Sequence, residues 1–359
     1  MNLHKITLEY LHSKLNFFID PSLSIDNIFN FFSTHFFIKK DTTEDNPLAN
    51  VYVVRDSSEF ENINFDNGED IYIRKSASDF FTIPGKRVSV GGIEYIKCIK
   101  TDTLLLFDSI NKKIVISTQL KDTEQDELVF IEIIRDLILK NEENHGVVVL
   151  HATSALKDGK ASLLIGSKGK GKSTLLLELV NELDYKLISG DKTFLWINEG
   201  KLMCAGWPDY PHLGLGTLSK YPAFVEHFRL RDKIEAVKED LWSTEHKMAI
   251  DPKFFQEMIP FADTGLSFPV ENIIYPNLFP TNECEVLQIS NHMEMMKPHI
   301  ERIFVKGNVI WNNFIKPKNQ SELEMKIDDC INLANEIRAY EINGSGILED
   351  SLFSKGYGR

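Results

Sequence analysis

The sequence predicts an α/β chain in two parts: a mostly β N-terminal domain over residues 1–120 and an α/β domain over residues 121–359. Three observations carry this. Short runs rich in β-branched and aromatic residues recur between residues 51 and 118, separated by turn signals. An apolar run at residues 163–165 leads into a glycine-rich loop and then a leucine-rich segment, in the order strand, loop, helix. Apolar residues recur at helical spacing over residues 126–140 and again over 321–340.

Residues 1–50 are rich in Phe, Asn and charge, and DTTEDNP at residues 41–47 reads as an exposed loop. The runs VYVV, IYIR, FFTI, RVSV, YIKCI, LLLF and KIVIS follow. Pro84-Gly85, Gly91-Gly92 and Ser109-Ile110-Asn111 stand as turns among them, the pattern of an antiparallel meander. Asp126 is placed to cap the helix expected over residues 126–140. Beyond it, VVVLHATSAL and ASLLIG are joined by Lys157-Asp158-Gly159-Lys160, which reads as a hairpin. After a helix at residues 173–183, the run YKLIS stops at Ser189-Gly190-Asp191 and resumes as TFLWI. Asn198-Glu199-Gly200-Lys201 turns the chain back, and a loop rich in Gly, Pro and aromatics spans residues 206–218. Residues 226–244 read as helical or irregular, and residues 268–287 as strand-like. The amphipathic helix of residues 321–340 carries Leu323, Ile327, Ile331, Ala334 and Ile337. Gly344 and Gly346 end it, and the tail that follows is expected to be loose.

The glycine-rich loop carries the most specific signal. Gly166, Ser167, Lys168, Gly169, Lys170, Gly171, Lys172 and Ser173 match G-x-x-x-x-G-K-[ST], with Thr174 next. Its glycines let the backbone curl until N–H groups point inward at phosphate oxygens. The helix that follows adds unpaired N–H groups and the positive end of its dipole. Lys172 is expected on the β- and γ-phosphates of ATP and the Ser173 hydroxyl on Mg²⁺. The alternative is a surface turn rich in Gly and Lys.

Composition narrows the function classes. In 359 residues the net charge is −13, which argues against general binding of nucleic acid or anionic membrane. The N-terminal stretch carries charges and lacks the apolar core of a signal peptide, and no run is apolar for ~20 residues. Cys98, Cys204, Cys284 and Cys330 show no C-x-x-C spacing, so a reducing cytoplasm is the expected setting.

Phosphoryl transfer needs an acid besides the loop, usually at the end of a neighbouring strand. Asp191, after YKLIS, is the best candidate; otherwise it is a turn residue of Ser-Gly-Asp-Lys. His151, which interrupts the strand-like run before the hairpin, is the second; otherwise it is an ordinary core or edge histidine. His212 and the loop of residues 206–216 are candidates for the acceptor site, against a structural turn with Trp207 and Tyr210 tucked inward. Arg229, Arg231, Lys247 and Arg302 are candidate cations for the γ-phosphate, against solvated side chains, and Glu178 reads as surface. No N-K-x-D, LSGGQ-like, H-R-D or D-F-G stretch occurs, which disfavours guanine-specific GTPases, transporter ATPases and eukaryotic-type protein kinases.

The stretch HGVVVLHATSALKDGKASLLIGSKGKGKSTLLLELVNELDYKLISGDKTFLWI resembles the HPr kinase/phosphorylase superfamily, whose catalytic domain is related to phosphoenolpyruvate carboxykinase. More closely than the full-length kinases, it resembles the smaller HPr-kinase-like proteins of natural-product and peptide-modification pathways. His151 matches the family's strand histidine, residues 166–174 its phosphate loop, and Asp191 the second acid of its acidic pair. Gly190 stands where the family has the first acid, and residues 211–216 lack the Arg of the family's loop, so HPr itself is not the acceptor implied.

The resemblance implies a P-loop HPr-kinase/PEP-carboxykinase-like catalytic core and an ATP- and Mg²⁺-dependent kinase. Lys172, Asp191 and His151 are its expected catalytic residues, with Ser173 and Asp191 on the metal. The acceptor hydroxyl belongs to a small molecule, such as a sugar- or nucleoside-like metabolite, or to a peptide serine. A nucleotide-binding regulator, with Gly190 as its mark, or an ATPase without an acceptor is the alternative. Homo-oligomerisation stays open.

Overall fold

The computed structural model describes residues 3–76, 78–120, 123–279, 281, 283–304 and 311–344. The chain divides into two compact units, Met1–Gly146 with Arg302–Leu323, and Val147–Glu301 with Glu324–Arg359. It is mixed α/β, with most strands in two large sheets. No helix among the described residues is long and apolar enough to cross a membrane, and all four cysteines are free thiols.

In the first unit β1 (His4–Tyr10) and β2 (Ser13–Ile19) form a hairpin, followed by α1 (Asp26–Phe32), β3 (Phe37–Lys40) and β4 (Ala49–Val54). Then come β5 (Glu69–Arg74), β6 (Ile83–Val90), β7 (Ile93–Cys98), β8 (Leu104–Asp108), β9 (Lys113–Ser117) and α2 (Thr123–Asn144). The strands make one sheet in the order β3-β1-β2-β4-β9-β8-β7-β6-β5. The meander from β5 to β9 is antiparallel as expected, but β4 runs parallel to both β2 and β9, so the sheet is mixed. Pro84-Gly85 is not a turn. It lies inside β6, where the register slips by one residue against β5, and that irregularity accommodates a residue without an N–H.

The helix expected over residues 126–140 runs from Thr123 to Asn144, and Asp126 is interior to it rather than its cap. The Asp126 carboxylate is fully buried and accepts hydrogen bonds from the hydroxyls of Thr103 (2.7 Å) and Thr118 (3.3 Å). α2 belongs to this unit and not with the glycine-rich loop, because its apolar face is buried against it. The returning segment is bound there too: Asn312 donates to Asp136 (2.8 Å), Asn313 donates to Glu94, and Trp311 meets Phe107 edge-on.

The second unit opens with β10 (Val148–Lys157) and β11 (Lys160–Ile165), then α3 (Lys172–Glu182), β12 (Lys186–Ser189), β13 (Lys192–Asn198) and β14 (Lys201–Gly206). Short elements follow: β15 (His212–Gly214), α4 (Leu215–Leu218), α5 (Pro222–His227), α6 (Arg231–Ala236), β16 (Lys247–Ala249) and α7 (Pro252–Met258). The unit ends with β17 (Phe268–Asn277), β18 (Cys284–Ile289), α8 (Met293–Met296), β19 (Ile300–Glu301), α9 (Gln320–Asn335), which begins in the first unit's returning segment, and β20 (Arg338–Gly344). The sheet runs β11-β10-β13-β14-β17-β20-β18, and β17 also pairs with β11, so five of its strands close on themselves. The helix expected to reach residue 340 stops at Asn335, and Arg338 onward is a strand parallel to β17. Gly344 is the last residue of that strand, whereas Gly346 and the tail lie outside the described residues.

The Asp158-Gly159 turn joins β10 to β11, and both residues adopt the positive φ that a two-residue hairpin turn requires. Leu175, Leu176, Leu177, Leu179 and Val180 of α3 are buried in a core shared with Leu164, Ile274 and the helices after β15. Burying that side of α3 holds the loop before it.

Replacing Asp126 by Ala leaves the Thr103 and Thr118 hydroxyls without their buried acceptor. The expected loss is about 1–3 kcal/mol in urea unfolding monitored by circular dichroism.

Candidate functional site

The site is built around the middle of β10. Along one edge its first half, Val148 to His151, pairs with β13 and its second half with β12; along the other edge the second half, from Ala152, pairs with β11. Ala152 lies opposite Ile165, the last residue before the glycine-rich loop, and His151 lies opposite Lys192, the residue after Asp191. Two backbone registers therefore bring His151, Asp191 and the start of the loop to one place, without any help from their side chains.

The loop itself has the curled backbone expected of it. Gly169 and Gly171 sit at φ of 89° and 93°, a region that side chains rarely adopt. Gly171 is also the N-cap of α3, and a Cβ added to it would lie 2.7 Å from the Leu278 side chain. Lys170 Nζ donates to Asn277 (2.7 Å), and Lys170 O accepts from the Leu278 N–H, so the loop is fastened to the end of β17. Lys172 Nζ donates to the Gly166 carbonyl across the curl, and Thr174 shares a hydroxyl hydrogen bond with Thr217 (2.7 Å). The segment before β16 covers the loop: a Cβ on Gly169 would stand 3.0 Å from the Thr244 methyl, and one on Gly216 would clash with Trp242.

Charge is concentrated around this curl. Burial pushes the Lys172 ammonium below its ordinary pKa; Asp191 opposes that shift and Lys247 adds to it. Burial likewise lowers Lys247, helped by Lys168 and opposed by Asp191. Three lysines crowded near one carboxylate leave an excess of positive charge, which suits a polyanion at the start of a helix.

His151 has a carboxylate on each side. Its Nε2 lies 3.6 Å from Asp191 Oδ1, and its Nδ1 lies 3.5 Å from Glu301 Oε1. Lys192 Nζ donates to the other Glu301 oxygen. Burial alone would raise the Glu301 pKa, but the bonds from His151 and Lys192 outweigh it and hold the carboxyl at about 2. His299 is half-buried alongside; burial, Lys172 and His151 all lower its pKa.

Among the described residues no group of three His, Cys, Asp or Glu side chains could hold a metal ion by itself. Mg²⁺ does not need one, since it takes one or two protein oxygens together with phosphate oxygens and water. The Ser173 hydroxyl at the head of α3 and the partly exposed Asp191 carboxylate are donors of the right kind.

The other candidates fall elsewhere. His212 is exposed and bonded to the Tyr210 carbonyl (2.7 Å), while Trp207 is buried against Phe194. Arg229 is exposed, Arg231 makes an exposed pair with Glu226, and Arg302 donates to Gln320 within the first unit. Glu178 is not free surface: it is half-buried and pairs with Lys220. Of the four cations weighed, only Lys247 stands by the loop, carried there by the pairing of β16 with β15. Glu301, Lys192 and His299 were missed. Glu301 and His299 are distant in sequence and no spacing signals them; Glu301 arrives through the pairing of β19 with Val149 and Leu150.

No protein-family model matches the sequence, and comparison with curated proteins gives no match.

Three substitutions test this geometry. Gly171→Ala should destabilise the chain by roughly 1–3 kcal/mol, through positive φ and the Leu278 overlap. Gly190→Ala should stay within about 1 kcal/mol of the parent, since an added Cβ meets nothing within 4 Å. Urea unfolding compares the two. The Glu301 carboxyl is depressed from 4.5 to about 2, so its contribution to stability is full above pH 4.5 and is lost as pH falls toward 2. Glu301→Gln should flatten the decline of stability across that window.

Proposed function

We propose that the second unit is an HPr-kinase-like P-loop catalytic core that transfers the γ-phosphoryl group of Mg²⁺-bound ATP to a hydroxyl acceptor in the cytoplasm. The observation that carries this reading is the meeting of Asp191 and His151 with the glycine-rich loop, through the two registers of β10. A loop alone supports binding; an acid and a histidine beside it supply what transfer needs.

In this reading the amides of residues 166–174 and the Lys172 ammonium hold the triphosphate, and Ser173 with Asp191 holds Mg²⁺. Asp191 also faces the acceptor hydroxyl and takes its proton as the oxygen attacks in line. His151 donates a hydrogen bond beside the transferring group. Lys247 adds positive charge where negative charge accumulates. Positioning and neutralisation carry most of the rate, so few fixed groups suffice. The acceptor is a small molecule or a peptide serine.

A second reading, a nucleotide-binding regulator or an ATPase without an acceptor, is favoured by one observation. Gly190 stands where the resembling family has an acid, although the space there is open.

Incubation with γ-labelled ATP and pools of hydroxyl acceptors separates these. Label in an acceptor supports the kinase; label only as free phosphate supports the ATPase; tight Mg·ATP binding with no turnover supports the regulator. Lys172→Ala should abolish all nucleotide-dependent activity. Asp191→Asn should keep measurable nucleotide binding and lower turnover by at least ~100-fold, the scale of a lost acid–base or metal contact.

A further inference from the structure

Asp191 and His151 stand to one side of the glycine-rich loop, and the other side has a structure of its own. The segment between α6 and β16 crosses the loop and meets its surroundings at three successive points. Trp242 rests on Gly216: a Cβ added there would stand 2.5 to 3.0 Å from three atoms of the six-membered ring. The Thr244 methyl covers Gly169. Lys247 comes within electrostatic range of Lys168 and Asp191. The Trp242 end lies toward the body of α3, because the Lys220 ammonium sits over the indole, 5.7 Å from the ring centroid, and also pairs with Glu178 of that helix. Residues 242–247 therefore run from the flank of α3, over the loop, to Asp191.

The Trp242 ring is held from one side. Gly216 and Lys220 are four residues apart on a helical turn closed by the Ser219 N–H on the Leu215 carbonyl, and residues at that spacing share a face. The ring still leaves 47% of the residue's surface exposed, whereas Trp207 and Trp311 are buried and Trp196 is half-buried. An indole usually hides most of its area, so an open one beside a phosphate loop is a surface for a second flat group. The turn beneath it is tied to the loop directly, since Thr217, next to Gly216, shares a hydroxyl hydrogen bond with Thr174.

We infer that Trp242 is the platform on which the base of the nucleotide stacks. The inference rests on the proposed nucleotide-binding loop and deepens that reading by giving the nucleoside end of the ligand a place. Lys172 takes the β- and γ-phosphates and transfer occurs at Asp191, so the α-phosphate and the nucleoside leave the curl on the side away from Asp191. Thr174, its partner Thr217 and the indole over Gly216 occupy that side, and Lys247 occupies the opposite end. Gly216 is required because any side chain there would lift the ring. Lys220, anchored by Glu178, supports the ring plane through a cation–π contact. Stacking of a base on an aromatic ring needs no hydrogen-bond partner on the base edge, so a single indole suffices for it.

The test needs no turnover. Calorimetry on the full chain compares Mg·ATP with Mg·tripolyphosphate, which has the phosphates but no base. Trp242→Ala should weaken Mg·ATP about 5- to 100-fold, the range of one lost base–aromatic stack, and leave tripolyphosphate within about twofold. Trp242→Phe should recover most of the ATP affinity. Tryptophan emission is the second readout. ATP should quench the wild type while tripolyphosphate does not, and Trp242→Phe should remove that quenching. If Trp242→Ala fails to fold, the emission of Trp242→Phe decides: quenching by ATP that persists without the indole overturns the inference. Unchanged ATP affinity in Trp242→Ala overturns it and leaves the kinase reading standing. An equal loss of ATP and tripolyphosphate also overturns it, because Trp242 then only supports the loop. A wild type that binds neither ligand removes the nucleotide reading itself and the inference with it.

Discussion

Everything at the site depends on one strand paired along both edges. Backbone N–H and C=O groups must be paired when buried. β10 meets this with β13 and then β12 along one edge, and with β19 and then β11 along the other. Val148, Val149, Leu150, Ala152 and Ala155 are all buried, so β10 is covered on both faces. His151 stands among them half-exposed. The end of β11, with the glycine-rich loop beyond it, and the turn before β13, with Asp191 on it, are both held against the same few residues.

The electrostatics of the place follow from that convergence. The chain as a whole is acidic, with a net charge of −13, yet Lys168, Lys172 and Lys247 crowd the loop. Like charges gathered in one place repel one another, and a polyanion among them turns that repulsion into attraction. The left-handed glycines and the fastening of Lys170 to Asn277 hold the curl through contacts of the chain's own. Glu301 and Lys192 are a different kind of pair, satisfied by each other and by the histidine between them and Asp191.

What could be read from the sequence was what is encoded locally. The Asp158-Gly159 and Glu199-Gly200 turns need positive φ, and Asp158, Gly159 and Gly200 are residue types that announce it. The glycine-rich loop is a contiguous signature. The extent of α9 was misread because Ile337 continues the helical spacing by coincidence, while the chain there leaves the helix to lie parallel to β17. The parallel placement of β4 between β2 and β9 left no mark, because parallel neighbours lie far apart in sequence. Asp126 looked like a cap because capping and buried acceptor roles use the same residue types, and only its Thr103 and Thr118 partners tell them apart. Glu301 was invisible for the plainest reason: its role comes from a two-residue strand 150 residues after His151, with no motif around it.

The most direct measurement is a crystal structure of the full chain with Mg²⁺ and a non-hydrolysable ATP analogue. The γ-phosphate should lie in the curl against Lys172, with the metal on Ser173 and the Asp191 carboxylate facing the outer side of the γ-phosphorus, within reach of His151. A nucleotide held away from the loop, or a γ-phosphate in the loop with Asp191 and His151 turned from it, would contradict the assignment of phosphoryl transfer to this site.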